Sequence, residues 1–377
     1  MSSQMEFSRG EDLTALADLA EQIFTDQAPV EKVVAVERSE GGFDGKLWQT
    51  LADAGLLAAV LPESAGGGDM GLLGLVAIAE QQGRRVAPVP FVAVVAGAAL
   101  PIAEFGSEAA RSRYLDPLIS GEVLVTSGFD GVGGEAGLRG SFDGETLLVQ
   151  GTAVGVPAAD RAAAAVLGVQ LADGSVRVAI VDLAAEGVRR VPVATTFRGA
   201  GANLELSGVR VDSSDLLGGD DVAEWIQQRL RLGLAGVQIG VCAEALATTA
   251  DYVSHREQFG RPLSTNQAVA VRAADAFLDT EAIRLTTTRA AWLLDTGRVQ
   301  EAAAAVLVAK YWAARGGLRA VHATQHLHGG IGADIDYPIH RYFLWGRQLA
   351  FSLGGADQIA AELGAVIEQA PPIGAPA

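Results

Sequence analysis

The feature that most constrains this chain is an apolar run that opens at Arg229 and closes on a polar arm at Gln267, RLRLGLAGVQIGVCAEALATTADYVSHREQFGRPLSTNQ. Its first part is Ala, Leu, Val and Gly without proline, and apolar residues on nearly every face predict a helix buried all round. Such a helix cannot lie on a surface; other helices must wrap it. Gly260 with Pro262 just beyond predicts its stop. Just before that stop, Arg256 and Phe259 stand one turn apart and therefore on one side. A guanidinium fork beside an aromatic ring can hold a diphosphate and pack against a flat ring system. A plainer reading is also open: Arg256 as a solvated last-turn cation favoured by the helix dipole.

On either side of this run the texture changes twice. Residues 11 to about 120 read as helical, with EDLTALADLAEQIF and KLWQTLADAGLLAAV placing apolar residues at three and four spacings. The GGG at 66–68 reads as a connector, since no strand precedes it to make a phosphate cradle, and a helix resumes from Met70 to Gly83. From Gly121 to about 215 short β-branched runs alternate with Gly and Asp-Gly, as in VLVTSGF, VRVAIVDL and NLELSGVRVD, and FDGETLLVQG predicts a hairpin. Beyond Asp220 long helices return, over about 221–259, 265–296 and 298–326 with a shorter pair after them, and antiparallel helices of that length bury one another as a bundle. The tail QAPPIGAPA is Pro-rich and reads as disordered.

Composition excludes several classes. The 377 residues suffice for two or three domains with a substantial core. A formal charge of −17 and a pI near 4.7 argue against nucleic-acid binding, which needs a basic face. The single cysteine, Cys242, rules out an internal disulfide and a cysteine-based metal cluster, and no metal site is expected; within the apolar helix it reads as a small core residue. The opening MSSQMEFSRGEDL has neither a basic nor an apolar leader region. The most membrane-like run, residues 86–105, is cut by Pro88, Pro90 and Pro101 below spanning length, so a buried loop and helix is expected there. These features read as a soluble, cytoplasmic protein without a membrane partner.

Three segments carry a resemblance. YVSHREQFGRPLSTNQ resembles the acyl-CoA dehydrogenase signature, in which an Arg-x-x-Phe-Gly helix end is followed by a loop and a Gln. HLHGGIGADIDYPIHRYF at 326–343 resembles a second signature of that family, and LADAGLLAAVLPESAGGGDMGLLGLVAIAEQQGR at 51–84 resembles its N-terminal third. The resemblance spans almost the whole chain in the right order. It implies an α+β fold with an N-terminal helical domain (1–120), a middle β-barrel-like domain (121–215) and a C-terminal four-helix bundle (216–377). It also implies FAD at a subunit interface, tetramers built from dimers, an acyl-CoA substrate and an electron-transfer flavoprotein as acceptor.

Such enzymes remove two hydrogens across the α and β carbons of an acyl-CoA thioester. A carboxylate takes the α-proton while the β-hydrogen leaves as hydride to the flavin. By resemblance, Arg256 reaches the FAD diphosphate of a partner subunit, Phe259 packs nearby, and Gln267 matches the family's loop Gln. Gly329, Gly330 and Gly332 supply bare backbone for close approach to the adenosine end. The family's Gln three residues before that glycine run falls on His326, with Gln325 one position earlier, which leaves open which of the two contacts the cofactor.

Other parts depart from the family pattern. Where it has Thr-Glu-Pro…Gly-Ser-Asp this chain has VTSGFDGVGGEAG, and where it has Gly-x-Lys-x-Trp-Ile-Thr this chain has GTAVGVPAAD, with Val154 for the Trp and Val156 for the Thr. A valine cannot donate the hydrogen bond that a threonine hydroxyl gives to the flavin ring. No catalytic residue is expected: one family position for the base falls on Leu353 or Gly354 and the other on Leu230, none of which accepts a proton. Arg231 matches a family arginine near the acyl-CoA site. Asp357, Glu224, Asp334 and Asp336 are the carboxylates nearest in sequence to these places, and the plainer reading of each is a solvated acid or a helix-start acid. The chain thus retains what it would lend to a partner and lacks what it would need alone. That asymmetry resembles the non-catalytic subunit of heteromeric α2β2 acyl-CoA dehydrogenases, whose catalytic partner carries the base. By analogy it points to a steroid-CoA substrate. Two other readings are a self-sufficient homotetramer with a relocated base, and a flavin-free scaffold or acyl-CoA-binding subunit.

Overall fold

Helices α1 (Glu11–Gln27), α2 (Val30–Ser39), α3 (Gly45–Asp53), α4 (Gly71–Arg85) and α5 (Phe91–Phe105) open the chain, and a helical segment α6 covers 108–119. The computed structural model describes residues 10–39, 41–132, 137–219 and 221–368. The first nine residues, the GGEA of the VTSGFDGVGGEAG stretch and the Pro-rich tail lie outside the described residues. In α1 the spacing Leu16, Ala20, Phe24 makes one buried stripe. The start of α3 is capped by Asp44, whose Oδ1 accepts from the Leu47 N–H at 2.9 Å. The start of α4 is capped from far away: the N–H groups of Leu72 and Leu73 donate to the Asp295 carboxylate at 2.8 and 3.0 Å. The run 86–105 is a buried loop and helix, as its prolines predict. Pro101 is housed directly after a widened π turn, Val95–Ala99, that relaxes the usual i→i+4 ladder.

The middle of the chain is one eight-stranded sheet. Its strands are β1 (Val125–Gly128), β2 (Arg139–Asp143), β3 (Thr146–Pro157), β4 (Ala164–Gln170), β5 (Val176–Asp182), β6 (Val188–Pro192), β7 (Gly201–Val211) and β8 (Leu216–Leu217). The order is β6-β7-β3-β2-β4-β5-β8, with β1 parallel to β4. The hairpin read from FDGETLLVQG is β2–β3, closed by an Asp143–Thr146 pair across Gly144 and Glu145. Strands β4 and β5 are buried on both faces. Val166, Val178 and Ile180 join the helical core, while their neighbours Ala165, Leu167, Ala179 and Val181 face the sheet's own core.

Helix α7 (Val222–His255) is the buried axis of the C-terminal half. It is long and apolar enough to cross a membrane, but 67% of its apolar window is buried inside the protein. Around it pack α8 (Gln267–Asp295), α9 (Val299–Leu327), α10 (Ile339–Phe351) and α11 (Ala356–Glu368). Two glycines explain how α4 lies on α7. A Cβ on Gly83 would fall 2.0 Å from the Val237 carbonyl oxygen, and one on Gly240 would fall 1.9 Å from that of Glu80. The two backbones touch with no side chain between them. Cys242 sits fully buried in the same helix, where Gln238 Nε2 donates to its Sγ at 3.1 Å and burial pushes the thiol up to about 12.

Candidate functional site

The arm beyond α7 differs from the helical end read in the sequence. The helix stops at His255, and Arg256 is already extended (φ −74°, ψ 117°), with its N–H still bonded to the Tyr252 carbonyl at 2.8 Å. A two-stranded hairpin follows, β9 (Glu257–Gln258) against β10 (Arg261–Pro262). Its turn is Phe259 at φ 57° and Gly260 at φ 75°, a loop in which both residues take positive φ. Arg256 and Phe259 are therefore not on one helical face, because the Phe-Gly turn requires a backbone that no helix supplies. Phe259 is 96% exposed. Arg256, Arg261 and Arg272 are exposed and make no ion pair among the described residues. The arm closes where Leu263 N–H returns to the Arg256 carbonyl at 2.9 Å, and α8 starts at exposed Gln267 under an Asn266 cap.

The Gly-rich turn lies beside the root of this arm. At the end of α9 Gln325 folds back, donating Nε2 to the Gly332 carbonyl at 2.9 Å, so its amide braces the turn. His326 instead is exposed and lines a groove of about 850 Å³ between α8 and α9, with Arg272 and Trp312. Gly329 (φ 64°) and Gly330 are open: a Cβ on either would meet nothing within 4 Å. The third glycine, Gly332, is packed, since a Cβ there would fall 2.4 Å from the Gln325 carbonyl oxygen. Sequence reading missed what joins turn to arm. His328 stacks on Tyr252 at 4.5 Å with 24° between the ring planes, and Tyr337 closes on both rings. The His328 Nδ1 bonds the Thr324 carbonyl at 2.9 Å, and burial lowers its pKa, which keeps the ring neutral. Tyr252 lies on α7 and His328 just past the end of α9, far apart in the chain, so no periodic pattern announces their stack.

The third region is the cleft where the sheet, α5, α7 and the end of α10 converge. Leu230 and Leu353 both line it, whereas Gly354 does not. Its volume is about 110 Å³, and an adjoining apolar cavity sharing Leu234 and Phe197 adds about 100 Å³. Even together they fall short of the ~300–1,000 Å³ typical of ligand sites. Two nearby hydroxyls are donated to protein carbonyls, Thr126 Oγ1 to Pro157 at 2.6 Å and Ser127 Oγ to Ala93 at 2.8 Å. A bulge in β3 between Ala153 and Val156 turns Val154 to the cleft and Val156 into the sheet core, where it is fully buried.

None of the four carboxylates weighed from the sequence lines this cleft. Glu224 faces a separate cavity with Gln228 and Arg231, Asp334 Oδ1 caps the Asp336 N–H at 2.9 Å, Asp336 pairs with Arg38 at 3.5 Å, and Asp357 is exposed at the start of α11. Arg231 does not line the cleft either. Its Nη2 holds Glu362 Oε2 at 2.7 Å and its Nε donates to the Leu353 carbonyl at 3.3 Å. Among the described residues one acidic side chain does line it: Asp130, in the loop after β1, which no sequence pattern singles out. Its Oδ1 accepts from the Leu353 N–H at 2.6 Å, and loss of hydration raises its pKa against the pull of that bond, Lys310 and Arg231.

Comparison with known proteins matches this architecture from end to end. Residues 10–122 match the acyl-CoA dehydrogenase N-terminal domain and residues 218–366 the acyl-CoA dehydrogenase C-terminal domain. The chain is 35% identical over 376 residues to acyl-CoA dehydrogenase FadE27 of Mycobacterium tuberculosis, covering 97% of this chain and 100% of that one. It is similar to a solved chain of the ChsE4-ChsE5 complex from Mycobacterium tuberculosis, with TM-score 0.92, 35% identity, and 97% and 100% of the two chains covered. It is also similar to a chain of the Tcur3481-Tcur3483 steroid ACAD, solved as a point variant, with TM-score 0.89, 42% identity, and 96% and 98% covered. An N-terminal helical domain, a central sheet and a C-terminal helical domain in this order, at these identities over nearly full length, settle one point: the chain belongs to the acyl-CoA dehydrogenase family.

Proposed function

We propose that this chain is the non-catalytic subunit of a heteromeric, FAD-dependent acyl-CoA dehydrogenase, an α2β2 assembly in which a second family chain carries the base. The observation that carries the reading is the cleft: one family position for the carboxylate falls on Leu230 and the other on Leu353 or Gly354, none of which accepts a proton, and both leucines line a space of about 110 Å³. The exposed arm and Gly-rich turn fit the opposite end of the task. Arg256 would hold the partner's FAD diphosphate as a charge-assisted fork, Phe259 and Gln267 would flank it, and open Gly329 and Gly330 would admit the adenosine end. His326 faces outward for that contact while Gln325 braces the turn behind it. FAD, when bound, supplies the hydride acceptor; this chain's residues bind and orient it. The relatives support the assembly and the substrate class, since one solved relative is a ChsE4-ChsE5 complex and another a steroid ACAD, so a steroid side-chain CoA thioester is the substrate we assign. Electrons then pass to an electron-transfer flavoprotein, and the complex works in the cytoplasm.

Co-expression with a candidate partner of the same family tests this. The expected result is flavin at about one per pair of unlike chains, appearing only in the mixed complex. Yellow, active protein from this chain alone supports a relocated base instead, and colourless protein in every combination supports a flavin-free scaffold.

A further inference from the structure

The turn after α10 is gripped at both of its backbone polar groups. Leu353 sits at φ +55° and Gly354 at +107°, so a leucine occupies left-handed backbone that L side chains disfavour. Its N–H donates to Asp130 Oδ1 at 2.6 Å, a carboxylate 223 positions away in the chain. Its carbonyl accepts from Arg231 Nε at 3.3 Å, and Arg231 is held in turn by Glu362 on α11. Lys310, fully buried on α9, donates its Nζ to the Leu349 carbonyl at 3.1 Å and the Ala350 carbonyl at 3.4 Å, satisfying the end of α10 just before this turn.

We propose that Asp130 and Arg231 are positioning residues that clasp the Leu353 turn shut over the cleft, so that the place where the family carries its base is here a structural seam between the β domain and the bundle. This deepens the non-catalytic reading, on which its functional meaning rests. Asp130 Oδ1 is bonded to the Leu353 N–H, and the basic groups nearest it, Arg231 and Lys310, hold the Leu353 carbonyl and the end of α10 just before the turn. Asp130, the one acidic side chain lining the cleft among the described residues, is thereby tied through Oδ1 to the turn it positions.

Hydrogen exchange of the 350–356 segment in the full-length chain reads the clasp. Asp130→Ala is expected to raise the exchange rate of the Leu353 amide roughly tenfold, about the effect of losing one charge-assisted hydrogen bond. Asp130→Asn is expected to restore protection, because an amide oxygen still accepts from that N–H. A second measurement covers a variant that fails to fold. Leu353→Glu places a carboxylate beside Asp130 and should lower the denaturant midpoint, and adding Asp130→Asn should recover most of the loss. Unchanged exchange in Asp130→Ala, or strictly additive effects of Leu353→Glu and Asp130→Asn, overturns the clasp. Flavin stoichiometry of the mixed complex, by contrast, tests the division of labour and leaves the clasp untouched.

Discussion

The arm at 256–267 and the cleft around Leu230 and Leu353 have met opposite treatment in one molecule. On the arm the arginines are exposed and make no ion pair among the described residues, an aromatic ring stands 96% exposed at a turn tip, and two glycines of the adjoining turn face open space. In the cleft the Ser127 and Ser352 hydroxyls are donated to backbone carbonyls, the Asp130 carboxylate accepts from a backbone N–H, and Leu230, Leu234 and Leu353 are among the lining residues. Polar groups left free cost nothing on a surface, whereas in a closed space they must find partners. On the proposed division of labour, the region that binds would show unspent donors and the region without chemistry spent ones. The state of the hydrogen bonds, more than the list of residues, separates the two.

Three measurements break or sharpen that contrast. The largest effect is expected at the arm. Arg256→Ala should cut flavin retained by the mixed complex by at least about tenfold, the scale of one lost guanidinium–phosphate pair, with the fold intact by circular dichroism. An unchanged flavin content would erase the arm's half of the contrast.

An intermediate effect concerns pH. Burial lowers the pKa of Lys310 to about 7, reinforced by Arg231 and partly offset by Asp130. Its unfolded value lies well above that, so between the two the unfolded chain holds the extra proton and stability rises with pH. Cys242 and the buried tyrosines Tyr114 and Tyr342 are shifted upward by burial and oppose the trend only at higher pH. The thermal midpoint should therefore climb between pH 7 and about 8.5, and Lys310→Met should flatten the climb. A wild-type midpoint that falls across that window would contradict the buried, partly deprotonated amine.

The smallest expected effect is none. Val154→Trp rebuilds one side chain of the family's flavin wall, yet the space and the hydroxyls would still be missing, so flavin titrated into this chain alone should bind no better than to wild type. A clear gain would mean that the cleft was one residue from use rather than closed.

Much of this was legible in the sequence where it rests on local pattern. The buried axis helix, the Asp-Gly hairpin and the two family signatures all announce themselves within a few residues of their own position. The end of α7 was misread because Gly260 and Pro262 stop a helix just as well as they close a hairpin, and only the positive φ of Phe259 tells the two apart. Strand β4 gave no alternation to find, since both its faces are buried. Asp130 was illegible for another reason: its meaning lies in a partner 223 residues away, and the same holds for Asp295, which caps α4 from across the fold. Arg231 was read as a pocket charge; it lines a cavity with Glu224 and also pairs with Glu362, a contact between elements that spacing cannot reveal.

The seam of Gly83 and Gly240 bears on how such a chain can be remodelled. Two helices pressed together without intervening side chains mesh like a key in one lock, and a single added methyl on either would push them out of register. The first helical unit and the bundle must then be inherited as a matched set. A hybrid made by grafting one onto a relative's other half should fail at that joint before any question of chemistry arises.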